Sequence, residues 1–198
     1  NSLVLRMMNI TFFQKATPNF LTSFRCISAI IVPLLILYGD EKGAILAPII
    51  FIIAGITDFL DGYLARKFDV ISNFGKIIDP VADKMLVIGT LFALGTENFF
   101  NYYYTFVPAF LIILREIFIT GLREQVSKDK ITLSVTTLAK YKTTIQLIAC
   151  TSYLVWRSDQ FIFESLIIEY TCVILLWLAA LITIITCYDY LKKVWEYL

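Results

Sequence analysis

Long apolar stretches alternate with short polar ones along the whole chain. Six stretches, about 20–38, 44–66, 74–96, 102–123, 138–156 and 165–190, approach or exceed bilayer-crossing length, which is about 20 helical residues. The last is the cleanest, with no charge from Tyr170 to Tyr188. The run from Cys26 to Gly39 is shorter and needs the segment before Arg25 to complete a crossing. The other stretches each carry charge near one end. The pattern predicts an all-α, polytopic membrane bundle of six transmembrane helices in one domain spanning 1–198. Pro48, Pro80 and Pro108 are expected to kink or begin helices.

The connecting segments fix an expected orientation. Gly39–Gly43, Gly95–Asn101 and Arg157–Glu164 fall on one side and hold two basic residues, Lys42 and Arg157. The other side, with the helix ends, holds the remaining fifteen of seventeen. Positive residues are retained inside, so both termini are expected in the cytoplasm. Tyr102, Tyr103 and Tyr104 suit an aromatic belt at the outer surface. Residues 1–19, with Phe12, Phe13 and Lys15, read as a cytoplasmic juxtamembrane helix. No stretch reads as a cleaved signal peptide, because the first long apolar run begins only near Phe20.

Composition supports the membrane reading and narrows the chemistry. Of 198 residues 59% are hydrophobic and 17% charged, and mean hydropathy is +0.76, far from soluble-domain averages. The absence of histidine removes histidine triads, His-ligated zinc and imidazole proton shuttles. A net charge of +1 gives no electrostatic reason to expect nucleic acid as a partner. Cys26, Cys150, Cys172 and Cys187 form no CxxC pair and read as reduced thiols packed as small hydrophobes.

Charges inside a bilayer need a reason, and here they share one depth. Asp58 and Asp61 come late in the second span, while Asp79 and Asp83 come early in the third. Arg115, Glu116 and Arg123 lie late in the fourth span, and Lys140 and Lys142 early in the fifth. Asp189 ends the sixth. All fall in the cytoplasmic half, which predicts a polar cavity open to the cytoplasm and closed on the outside.

On a helix, positions 58, 61 and 65 share one face, as do 62 and 66, and 75, 79 and 83 recur every fourth residue. Two antiparallel helices would therefore present four carboxylates to each other. Such a set needs positive compensation. With only oxygen donors at hand, Mg²⁺ or Mn²⁺ is the expected partner. Two such ions could clamp a phosphate or diphosphate. Gly62, Ala65 and Gly75 keep the faces small enough for a substrate to approach.

The string Asp58-x2-Asp61-Gly62-x2-Ala65-Arg66-x8-Gly75-x3-Asp79-x3-Asp83 resembles the signature of the CDP-alcohol phosphatidyltransferase family at all eight fixed positions. Pro18-Asn19-x-Leu21-Thr22-x2-Arg25, ending at Pro33, is similar to that family's opening segment. The resemblance implies a six-helix membrane enzyme of the bacterial inner membrane, acting as a homodimer. It implies that Asp58, Asp61 and Asp79 ligate two metal ions, with Asp83 contributing a ligand and serving as the general base. Gly62, Ala65, Arg66 and Gly75 would line the site for the nucleotide of a CDP-linked lipid donor such as CDP-diacylglycerol.

The acceptor is read from the cations. Arg115-Glu116-Ile117-Phe118-Ile119-Thr120-Gly121-Leu122-Arg123 and Lys140-Tyr141-Lys142-Thr143 resemble the matching segments of family members that use glycerol 3-phosphate. Here Ala139 precedes Lys140 where many of those members have glycine. Arg115, Arg123, Lys140 and Lys142, with Thr120, suit an acceptor that itself carries phosphate. Glycerol 3-phosphate is therefore the expected acceptor, giving phosphatidylglycerophosphate and CMP. Phosphatidylglycerol or an inositol phosphate are the alternatives with the same chemistry. A divalent-cation transporter is the alternative of another class, but it needs polar residues continuing to the outer face, where this chain is apolar.

Overall fold

The computed structural model describes residues 21–68, 73–96, 103–128, 137–159 and 166–195. Within these, side chains are described except at 61–68, 73–77, 103, 127, 128, 137, 139, 140, 159 and 166. The expected juxtamembrane helix at 1–19 lies outside the described residues. Among the described residues there are six helices and no strand. They are α1 (Leu21–Tyr38), α2 (Glu41–Phe68), α3 (Asn73–Thr96), α4 (Tyr103–Lys128), α5 (Thr137–Asp159) and α6 (Leu166–Trp195).

Four of the six, α1, α2, α4 and α6, are long and apolar enough to cross a membrane. α3 and α5, with 24 and 23 residues, have the length, about 35 Å at 1.5 Å per residue. α3 carries Lys76, Asp79, Asp83 and Lys84, and α5 carries Lys140, Lys142, Arg157 and Asp159. Pro48, Pro80 and Pro108 all lie inside helices rather than at their starts.

The packing is that of helices in lipid. Small residues face inward, including Ala29 on α1, Ala44, Ala47 and Ala54 on α2, and Ala179 and Ala180 on α6. Large apolar residues face outward, such as Ile30 at 56% exposure and Ile174 at 67%. Lipid is as apolar as leucine, so close approach of backbones, rather than burial of bulk, holds such helices together. Hydroxyls inside the helices are satisfied locally: Ser28 donates to the Phe24 carbonyl and Thr171 to that of Ile167, each at 2.8 Å. The cysteines are free, with Cys150 and Cys172 buried.

The chain divides into two compact units, Asn1–Thr90 and Leu91–Leu198. In the first, a two-residue link turns α1 into α2. The Gly39 amide donates to the Leu35 carbonyl at 3.0 Å, and a β-carbon on Gly39 would stand 2.2 Å from that oxygen. Asp40 then caps α2, its Oδ1 accepting from the amides of Lys42 and Gly43 at 3.1 and 3.3 Å. α3 meets α1 where Gly89 lies against Pro33; a β-carbon there would stand 3.1 Å from Pro33 Cγ, a tight contact. In the second unit, α6 packs against both α4 and α5.

Candidate active site

The first unit carries a carboxylate cluster built by three helices. α2 supplies Asp58, α3 supplies Asp79 and Asp83 one turn apart, and α1 supplies Thr22 and Arg25, three residues apart on one face. Arg25 is 1% exposed. Its Nη1 lies 2.8 Å from Oδ1 of Asp58 and donates to Oδ1 of Asp83 at 2.8 Å. Asp79 Oδ1 is 3.7 Å from the same nitrogen and accepts a 2.7 Å hydrogen bond from Thr22 Oγ1. The three aspartates remain about one-third exposed, so an approaching ligand can reach them.

The donor chemistry here, oxygen only, is the kind a hard divalent cation takes. Three oxygen donors from two helices already converge on one positively charged nitrogen, with no soft ligand among them. Among the described residues no group of three histidine, cysteine, aspartate or glutamate side chains is by itself placed to hold a metal ion. Asp61 lies one turn beyond Asp58 on α2. Its side chain, with those of Gly62, Ala65, Arg66 and Gly75, lies outside the described ones.

The second unit carries a separate polar cluster inside its helices. Glu116 of α4, 5% exposed, accepts from Lys142 Nζ at 2.5 Å and from Gln146 Nε2 at 3.1 Å, both on α5. It also accepts from Arg115 Nη1 at 3.2 Å. Arg115 Nη2 donates to Thr186 Oγ1 of α6 at 3.2 Å, and Gln146 donates to Thr183 Oγ1 at 2.9 Å. The Glu116 carboxylate thus ties α4 to α5, and its partners Arg115 and Gln146 extend the network to α6. Thr120 donates to the Glu116 carbonyl at 2.5 Å, and Arg123 lies over the Tyr190 ring, 5.7 Å from its centroid. The Lys140 side chain lies outside the described ones.

A model of CDP-alcohol phosphatidyltransferases matches residues 15–185 of the chain. The chain belongs to that family. It is similar to the CDP-diacylglycerol–glycerol-3-phosphate 3-phosphatidyltransferase of Rickettsia bellii, 39% identical over 182 residues, 91% of this chain and 96% of the relative. The protein of the same name from Haemophilus influenzae is 37% identical over 180 residues, covering 88% and 91%. That from Escherichia coli is 34% identical over 181 residues, covering 90% and 94%.

Within this phosphatidyltransferase the sequence-predicted residues separate by element. Asp58, Asp79 and Asp83 come together, whereas Arg115 and Lys142 meet through Glu116 rather than directly. Thr120 and Arg123 lie one and two turns further along α4. Sequence reasoning passed over Arg25 and Thr22 as site residues, although a charge three residues after a threonine in an apolar run marks a polar face. It also passed over Gln146, Thr183 and Thr186. Gln146 stands one turn after Lys142, and that spacing carries the signal.

Proposed function

We propose that this chain catalyses metal-dependent transfer of the phosphatidyl group of CDP-diacylglycerol to sn-glycerol 3-phosphate, releasing CMP in phospholipid biosynthesis. The observation that carries the reading is the convergence of Asp58, Asp79 and Asp83 on a single cation position, in a member of this family. The names of the relatives supply the donor and acceptor.

Asp58, Asp61, Asp79 and Asp83 would hold Mg²⁺ or Mn²⁺, two ions by family resemblance. When bound, the metal supplies charge neutralisation for the donor's diphosphate and the departing phosphate of CMP. Asp83 accepts the proton of the acceptor hydroxyl. The hydroxyl oxygen forms a bond to the phosphatidyl phosphorus as the bond from phosphorus to the CMP oxygen breaks. Gly62, Ala65, Arg66 and Gly75 bind the donor nucleotide. Arg115, Thr120, Arg123, Lys140 and Lys142 are assigned to the acceptor phosphate, where guanidinium offers paired donors and ammonium a mobile charge.

The same reading takes 1–198 as one catalytic domain with six spans, α3 and α5 included. It sits in the bacterial inner membrane with both termini and the polar cavity on the cytoplasmic side, and it assembles as a homodimer. The acyl tails then stay in lipid while a water-soluble acceptor arrives from the cytoplasm.

Purified protein in detergent, given CDP-diacylglycerol and Mg²⁺, should release CMP on addition of glycerol 3-phosphate and stop when the metal is chelated. CMP release only with phosphatidylglycerol or an inositol phosphate would reassign the acceptor. No release with any alcohol would overturn the enzymatic reading.

A further inference from the structure

Arg25 occupies the point on which the carboxylates converge. A guanidinium does not lose its proton in a protein, so without a metal ion this buried charge and the aspartates around it balance one another. Its Nη1 contacts, 2.8 Å to Asp58 and 2.8 Å to Asp83, have the length of charge-assisted hydrogen bonds. Both use Oδ1, an atom that a bound cation would also seek. A divalent ion ligated by the same oxygens, at about 2.1 Å for Mg²⁺, would repel a guanidinium nitrogen kept within hydrogen-bonding distance of them.

We propose that Arg25 is a resident counter-cation that competes with the divalent ion for Asp58 and Asp83. It holds the ligand set together before the ion arrives and gives up its place when the ion binds. The inference rests on the metal-dependent reading above and deepens it. Asp79 behaves differently: its Oδ1 lies 3.7 Å from Nη1, beyond hydrogen-bonding distance, and is oriented by the neutral Thr22 hydroxyl at 2.7 Å. Asp79 is therefore the fixed ligand, and Asp58 and Asp83 are the exchanged ones. Arg25 acts through these carboxylates and is a positioning residue. The competition weakens metal affinity below that of the same carboxylates alone, which keeps ion exchange reversible.

The test is Mn²⁺ binding to the full chain in detergent, followed by electron paramagnetic resonance, with thermal unfolding recorded with and without Mn²⁺. Arg25→Gln removes the charge and keeps a planar amide. It should lower the metal-free unfolding temperature, tighten Mn²⁺ binding by about tenfold or more, and enlarge the Mn²⁺-induced rise in unfolding temperature. Arg25→Lys keeps a competing charge and should bind Mn²⁺ within about threefold of wild type. A purely structural role predicts the opposite sign, with weaker binding in Arg25→Gln. Equal or weaker binding by folded Arg25→Gln overturns the competition while leaving metal dependence intact. No saturable Mn²⁺ binding by the wild type overturns both.

If Arg25→Gln does not fold, arginine-labelled wild-type protein carries the test. The Arg25 side-chain ¹⁵N resonance, identified by its loss in Arg25→Lys, should shift through a Mg²⁺ titration. An unmoved resonance at saturation overturns the proposal.

Discussion

Replacing Glu116 by glutamine should destabilise the protein far more than replacing Lys142 by methionine. Glu116 and Lys142 are 6% and 8% exposed at their side chains and 2.5 Å apart, and Arg115 shares the same carboxylate oxygen at 3.2 Å. Glu116→Gln preserves shape and the acceptor oxygen but strips two buried cations of their common anion. Removing one partner from a buried ion pair costs about 3–5 kcal/mol. Lys142→Met leaves Glu116 still paired with Arg115 and hydrogen-bonded by Gln146, so the expected loss is about 1–2 kcal/mol. The double variant relieves one of the two stranded cations and should recover about 2 kcal/mol of the Glu116→Gln loss. For a chain of this size, about 2–4 °C accompanies each kcal/mol, so Glu116→Gln should unfold about 10 °C below wild type. Thermal unfolding in one detergent, with the four proteins closing a double-mutant cycle, measures these differences. Equal losses for the two single variants, or strictly additive losses in the double, would refute the view of Glu116 as the anion shared by two cations.

Asp83→Asn should abolish CMP release even at Mn²⁺ concentrations that saturate the variant, measured on the same preparation; full turnover would remove Asp83 as the base. Arg115→Ala should raise the KM for glycerol 3-phosphate more than the KM for CDP-diacylglycerol, and equal rises in steady-state CMP release would end its assignment to the acceptor phosphate. Gly39→Ala should lower the unfolding temperature by several degrees, because its β-carbon would fall 2.2 Å from the Leu35 carbonyl oxygen; an unchanged midpoint would show that the link between α1 and α2 relaxes at little cost.

The helices were legible because their apolar faces and lengths are properties of local sequence. All six predicted stretches contain a helix, and the link at Gly39–Asp40 coincides with a glycine and a capping aspartate. The carboxylate spacing was legible for the same reason: Asp79 and Asp83 are one helical turn apart wherever the helix goes. What pairs with them was not. Arg25 precedes Asp58 by 33 positions and Asp83 by 58, and only the packing of α1 against its neighbours selects it from the cations available. Gln146, Thr183 and Thr186 were obscured because an uncharged polar residue in an apolar helix hardly alters a hydropathy pattern. Its importance depends on a partner 30 or more positions away, as with Gln146 and Glu116.

The two clusters follow one electrostatic rule with opposite signs. Charges in an apolar bundle gather around a central group of opposite sign, because an isolated ion there is too costly. In the first unit the central group is Arg25 among three carboxylates; when ionised, these four groups sum to two negative charges. In the second it is Glu116 between Arg115 and Lys142, and these three sum to one positive charge. A purely structural ion pair gains most from exact neutralisation, since every leftover charge retains its desolvation cost. The excess therefore states what each cluster is suited to take: a cation at the aspartates and an anion at the Arg115–Lys142 pair. A metal ion and a phosphate-bearing alcohol are ligands of those signs. The Glu116 cycle and the Arg25 titration probe this rule from both sides, because each removes the central charge and leaves its neighbours in place. Loss of Glu116 leaves cations that an added divalent cation cannot satisfy. Loss of Arg25 exposes carboxylates that a divalent ion can still satisfy, so added Mn²⁺ should rescue the stability of Arg25→Gln but not that of Glu116→Gln.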